Sequence, residues 1–160
     1  VNLIGLHMHL GSQLAGPGHA DQMRQACEIV AAFGLDLPSG PQAVTNERLE
    51  RDRVVPLLDG SRRLVVWWQP GTVSALDGET VASGREVGTT GAFEAALDGQ
   101  ALSFESVERG FRDRETGTNW SALGIATAGP LAGRRLTAVP HVDTFWFAWS
   151  AFQPDTEVVG

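Results

Sequence analysis

The sequence predicts an α+β fold: a mainly antiparallel β sheet or small barrel, preceded by a strand-helix unit and followed by an aromatic helix. After residue 63, short apolar runs alternate with turn signals, which is typical of antiparallel strands. Phe145, Trp149 and Phe152 recur at helical spacing near the end of the chain. We therefore predict a strand-helix segment over residues 1–40, a polar linker over residues 41–62 and a β-rich domain over residues 63–160.

The N-terminal segment carries a strand pattern followed by a helix pattern. Residues 1–10 form an apolar run with His7 and His9 at alternate positions, which suits a buried strand. Apolar residues then recur at helical spacing over residues 19–33, and Gly34 is expected to end that helix. The chain begins inside a strand pattern without a signal-peptide pattern, so we expect an N-terminal part to be missing and leave the compartment open.

Residues 41–62 are polar and charged, and they predict a linker or an exposed short helix. A mixed-charge run of this kind ordinarily forms a solvated face. The segment therefore marks the boundary before the β-rich part.

The β-rich part is predicted to contain short strands separated by tight turns. Asp98-Gly99 is a strong hairpin signal, and Gly129-Pro130 indicates a further turn. A final helix is expected from Asp143, as its N-cap, to a stop at Pro154. The predicted strands span residues 64–68, 72–76, 91–97, 101–107, 110–114, 118–123 and 134–139.

Composition excludes several classes of protein. The chain has 160 residues, enough for one domain with one core, and its formal net charge is -7. That charge argues against a nucleic-acid partner, because duplex binding needs clustered positive charge. No apolar run is long enough for a transmembrane helix. The single cysteine, Cys27, cannot form an internal disulfide.

Residues 5–13 read Gly-Leu-His-Met-His-Leu-Gly-Ser-Gln. This string resembles a strand end of the pyridoxal-phosphate decarboxylases of the diaminopimelate type. The resemblance implies that His9 stacks on the pyridine ring and that Ser12 binds the phosphate. Those enzymes hold pyridoxal phosphate on a lysine, but every basic side chain here is an arginine, which cannot form the imine. We therefore expect no cofactor, and a non-functional fragment of such a decarboxylase is one alternative reading.

The alternate histidines also permit a metal site. His7 and His9 would point the same way from a strand, and His19 or His141 would have to supply a third ligand. The favoured reading is that they are hydrogen-bonded histidines on one strand face, so no metal is expected.

Four blocks over residues 60–160 carry a second resemblance. Asp-Arg-Glu-Thr-Gly-Thr-Asn-Trp at 113–120 is followed by Ala-Gly-Pro-Leu-Ala-Gly at 128–133, Phe-Trp-Phe-Ala-Trp at 145–149 and Pro-Asp-Thr-Glu-Val at 154–158. This order resembles the family called domain of unknown function 3179, which implies a fold but no reaction. Many members carry a cysteine pair near the position of residues 68–71, and this chain has none there.

The first of these blocks supplies candidate site residues. Asp113 and Glu115 would share one face of a strand, with Arg114 on the other. Such a carboxylate pair suits acid-base chemistry or cation binding. Its more common role is to satisfy backbone amides and an arginine at a turn, with Trp120 packed under that turn.

The last candidates lie near the C-terminal helix. His141 and Asp143 could form a dyad, but no nucleophile has an elbow context. The aromatic stripe is expected to be core, with a ligand groove as the alternative. We expect a soluble, uncharacterised domain that lacks a demonstrable catalytic apparatus and binds a small molecule. The enzyme alternative is metal-dependent chemistry at His7/His9 or Asp113/Glu115.

Overall fold

The computed structural model describes residues 31–71 and 88–160. The predictions for His7, His9, Ser12 and His19, and for the strand at 72–76, fall outside these ranges. Neither of the two helices in the described ranges has the length and apolar content that a membrane crossing requires.

Thirteen strands and two helices make up the described ranges. The first group is β1 (Ala31–Leu37), β2 (Gly40–Thr45), α1 (Asn46–Asp52), β3 (Val54–Asp59) and β4 (Arg62–Gln69). The second is β5 (Thr89–Glu94), β6 (Ala96–Leu97), β7 (Gln100–Ala101), β8 (Phe104–Val107) and β9 (Gly110–Asp113). The last is β10 (Asn119–Trp120), β11 (Ala126–Ala128), β12 (Val142–Phe145), α2 (Trp146–Phe152) and β13 (Glu157–Val159).

The strands form four sheets, with orders β12-β1-β2-β13, β3-β4-β5, β11-β10-β9-β8 and β6-β7. The pairing is antiparallel except between β13 and β2, which run parallel. The described ranges are therefore strand-rich with antiparallel sheets, as predicted in outline, and no barrel closes among them.

The β3-β4-β5 sheet is central because its middle strand, β4, is buried on both faces. Along β4, Leu64 and Val66 enter one core with β1 and β2, whereas Val65 and Trp67 enter a second core with β8 to β11. This alternation is the two-residue period of a strand. The apolar run at 64–68 is thus a strand, as the sequence predicted, and the structure shows that it is covered on both sides.

Two predictions for the first part of the chain need correction. Residues 31–33 do not end a helix, because they belong to β1, where Phe33, Leu35 and Leu37 alternate into the core. Residues 41–62 do not form only a linker. They contain a short helix, which was the alternative prediction for this segment, and strands flank that helix. That helix, α1, begins after Thr45, whose side chain accepts the Arg48 backbone N–H.

In the β-rich part, the predicted turns agree with the structure better than the predicted strand ends do. Asp98 and Gly99 both have positive φ and connect β6 to β7, as the hairpin signal predicted. The strand expected at 118–123 is only Asn119–Trp120, and the one expected at 134–139 is reduced to isolated bridges.

The C-terminal helix is shorter than predicted. Asp143 is not its N-cap, because Val142–Phe145 pairs with β1 and extends the sheet up to the helix. Phe145 takes the N-cap position without a side-chain cap bond, and the helix spans Trp146–Phe152. Sheet pairing therefore overrides the capping preference of Asp143.

Candidate functional site

The carboxylate of Asp113 is the centre of a buried hydrogen-bond cluster. Asp113 ends β9 and is fully buried. Its Oδ1 accepts the backbone N–H of Thr116 at 2.6 Å, and its Oδ2 accepts Trp120 Nε1–H at 2.8 Å. Gly117 has φ 71°, which turns the chain so that Thr116 and Trp120 both face the carboxylate.

Threonine hydroxyls extend this cluster to the Ala-Gly-Pro-Leu-Ala-Gly block at 128–133. Leu131 N–H donates to Thr118 Oγ1 at 3.2 Å, and Thr118 Oγ1 lies 2.7 Å from Thr116 Oγ1. Since Thr116 Oγ1 donates to Asp113, Thr118 must donate to Thr116. The hydrogen bonds therefore run in one direction, from the Leu131 amide to the carboxylate.

The environment of Asp113 keeps it ionised. Burial alone raises the pKa of its carboxyl, but hydrogen bonds from Trp120, Thr116 and the Gly117 backbone outweigh burial and hold the pKa below its ordinary value. The described donors use both oxygens inside the fold. The geometry of Asp113 and Trp120 accordingly fits the turn-forming role that was the commoner sequence interpretation.

Glu115 and Arg114 point to different partners. Glu115 accepts both the backbone N–H and the hydroxyl of Ser103, at 2.8 and 2.7 Å. Burial raises the pKa of Glu115, and the Ser103 hydrogen bonds lower it to a net value below the ordinary one. Arg114 Nε lies 3.3 Å from Glu105 Oε2. Within 31–71 and 88–160, no group of three or more His, Cys, Asp or Glu side chains converges as metal ligands would.

His141 and Asp143 are also engaged separately. The His141 ring stacks on Phe33 with centroids 4.4 Å apart, and its Nδ1 lies 2.9 Å from the Val139 carbonyl oxygen. Asp143 Oδ2 accepts the Thr90 hydroxyl at 2.8 Å. The structure therefore gives each residue of the candidate dyad another partner.

The aromatic stripe is core only in part. Trp149 is half-buried over Gly34, and its Nε1 donates to Thr156 Oγ1 at 2.8 Å. Phe145 and Phe152 are 44% and 67% exposed, so the prediction that the stripe is core is wrong for them. A groove of about 460 Å³ lies beside Trp149 and Phe152.

A larger cleft of about 820 Å³ lies along strand β3. We name it the β3 cleft. β3 is at the edge of its sheet, where Val55 and Leu57 turn into the core while Pro56 and Leu58 are exposed. The apolar part of its lining is formed chiefly by Val54, Pro56, Leu58, Val65, Leu102 and Phe104.

The polar residues of the β3 cleft come from five separate elements or turns. Gln42 Nε2 donates to the Leu58 carbonyl oxygen at 3.1 Å and lies 3.4 Å from Glu157 Oε2, while the buried Gln42 Oε1 has no hydrogen-bond partner among the described residues. Arg63, Ser103 and Arg114 complete the polar lining. Apolar walls with a few polar groups are the usual character of small-molecule sites.

Of the candidate residues that lie in the described ranges, Arg114 alone lines this cleft. Strand β3, along which the cleft lies, falls inside the segment that the sequence predicted to be a linker. The apolar run Val-Val-Pro-Leu-Leu at 54–58 was the available signal, because Pro within such a run is typical of an edge strand.

The comparison with protein families finds a match over most of the chain. The family described as Protein of unknown function (DUF3179) matches residues 12–156. The match supports the second resemblance and reaches well before residue 60, whereas the decarboxylase resemblance gains no support. No curated protein and no solved structure matches the chain.

Proposed function

Because this chain belongs to the DUF3179 family of proteins of unknown function, we propose a function from its geometry: it binds a small, largely apolar molecule in the β3 cleft. One observation carries the proposal. Leu58 is 60% exposed at the wall of a cleft of about 820 Å³, and that volume lies within the usual range for ligand sites. A ligand there would remove Leu58 and its apolar neighbours from water.

The backbone of β3 favours a small molecule over an added peptide strand. Trp68 N–H donates to the Arg53 carbonyl oxygen at 2.9 Å, so the backbone at residue 53 faces β4. Because the direction of the backbone polar groups alternates along a strand, those of residues 54, 56 and 58 face away from β4. Pro56 has no N–H, and the Leu58 carbonyl already accepts from Gln42. An extended peptide would therefore find few of the backbone partners that strand addition requires.

The test uses N-phenyl-1-naphthylamine, a neutral apolar probe whose fluorescence rises in apolar surroundings. The chain should bind it saturably, and Leu58→Asp should weaken binding by about tenfold or more, since burying a leucine side chain contributes about 1.5–3 kcal/mol. Because Leu58 is exposed in the free protein, the substitution should leave the unfolding curve close to that of the parent.

Leu123→Asp is the matched control. Leu123 is 66% exposed and lies outside the β3 cleft, so this variant carries the same change in charge and hydropathy at another surface. It should bind the probe as the parent does. Equal weakening in both variants, or no saturable binding at all, would reject the β3 cleft as the site.

A further inference from the structure

We infer that the ligand of the β3 cleft is an amphipathic anion, an apolar chain or ring system that ends in a carboxylate or a similar acidic group. The inference rests on the proposed function, because it concerns the same cleft. Its basis is Arg63, one of the residues that line that cleft.

Arg63 has a fixed place beside the apolar wall. It stands opposite Leu58 in the antiparallel pair of β4 and β3. Directly opposed side chains share one face of a sheet and have Cβ atoms about 4.5–5.5 Å apart. The cation and the exposed leucine are therefore neighbours, and one molecule can contact both.

Within the described ranges, the Arg63 guanidinium makes no hydrogen bond and no ion pair. Its sequence neighbour behaves differently, because Arg62 lies 2.7 Å from Asp59 Oδ2 and also pairs with Glu94. The other arginine of the cleft, Arg114, already lies 3.3 Å from Glu105. Among the residues that the structure describes, Arg63 is thus the cation of this cleft whose donors are available to a ligand.

The remaining charge of the cleft does not cancel this preference. Glu157 is the acidic residue among the lining, and its Oε2 lies 3.4 Å from the Gln42 amide nitrogen. Among the described lining residues, Arg114 is already paired with Glu105, so Arg63 is the cation that remains beside the apolar wall, in a chain whose net charge is -7. An arginine of this kind at an apolar cleft of an acidic protein is a local feature that suits an acidic head group.

The experiment displaces N-phenyl-1-naphthylamine with two competitors of equal chain length, decanoate and decanol, at neutral pH and low salt. Decanoate should displace the probe at a concentration about three- to fivefold lower than decanol, as expected for one partly exposed charge pair. Arg63→Gln should abolish this difference while the probe itself still binds. High salt should reduce the difference in the parent, because exposed charges are screened.

Arg109→Gln is the control, since Arg109 is exposed and outside the cleft. It should keep the parent's preference for decanoate. Equal competition by both compounds, a preference that survives Arg63→Gln, or the same loss in Arg109→Gln would overturn the inference. These outcomes are distinct from failure of the proposed function, in which the neutral probe does not bind at all.

Discussion

Trp120 Nε1 donates a 2.8 Å hydrogen bond to Asp113 Oδ2, and both side chains are fully buried. The pair joins β9 to β10 beneath the turn at Thr116-Gly117. A buried donor and a buried carboxylate each depend on the other, because neither can turn to water. This relationship explains why Asp and Trp stand seven residues apart around a glycine turn in this chain.

Asp113→Ala should destabilise the protein by about 2–3 kcal/mol, because it leaves the Trp120 indole N–H buried without an acceptor. The same change removes the acceptor of the Thr116 backbone amide. The measurement is the free energy of unfolding from urea titration. Asp155→Asn, at an exposed position, should lie within about 0.5 kcal/mol of the parent. Equal stability of the two variants would contradict the structural role of Asp113.

Stability should fall in acid partly because of Asp113. The pKa of this carboxyl is held below its ordinary value of 3.8, since hydrogen bonds outweigh burial. A group whose pKa is lower in the folded state stabilises it fully above the unfolded-state pKa. That stabilisation disappears as pH falls through the folded-state pKa. The loss should therefore occur below about pH 4.

Urea midpoints at pH 6, 4 and 3 measure this effect. Asp113→Asn should be less stable than the parent at pH 6, and this difference in stability should be smaller at pH 3. The pKa of Glu115 is also lowered, so Glu115→Gln should remove a separate part of the acid dependence. A constant gap between parent and Asp113→Asn at every pH would contradict the assignment.

Local patterns in the sequence predicted the hairpin turn at Asp98-Gly99 and the strand at 64–68. The Asp98-Gly99 signal needs only two residues with positive φ, and the apolar run at 64–68 needs only burial on both faces. Both properties depend on residues within the same short segment. The coarse α+β, strand-rich class followed from such segments and agrees with the structure.

Long-range pairing could not be predicted in the same way. Asp143 has the side chain of a helix cap, yet β1 pairs with Val142–Phe145 across more than a hundred residues and extends the strand. The β3 cleft also depends on long-range contacts, because Gln42, Leu58 and Arg114 meet only after three sheets have packed. Sequence alone offered the Pro56-containing apolar run, but not the elements that surround it.

Two glycines of the Ala-Gly-Pro-Leu-Ala-Gly block should differ sharply in their tolerance of alanine. Gly129 has φ 108°, and a Cβ there would lie 2.8 Å from Thr118 Cα. Gly133 has φ 83°, and no atom of the described residues lies within 4 Å of the added carbon. Gly133→Ala should cost about 1–2 kcal/mol for its left-handed backbone alone, whereas Gly129→Ala should cost more. Chemical denaturation of both variants checks the order, and a smaller loss for Gly129→Ala would contradict the close approach to Thr118.

Gly34→Ala should destabilise the protein through Trp149, and the two positions should be strongly coupled. A Cβ at Gly34 would lie 2.5 Å from Trp149 Cε3, so the indole would have to leave its place over β1 and its hydrogen bond to Thr156. Overpacking of this kind typically costs about 1–3 kcal/mol.

Trp149→Ala alone should be destabilising because it removes the packing over Gly34, but it also empties the space that the new methyl group needs. The double variant should therefore be no less stable than Trp149→Ala, which gives a coupling energy of about 1 kcal/mol or more in a double-mutant cycle. Phe152→Ala serves as the control, since Phe152 is 67% exposed and should add to Gly34→Ala without coupling. Additive losses for Gly34→Ala and Trp149→Ala would show that the indole does not lie over Gly34 in solution.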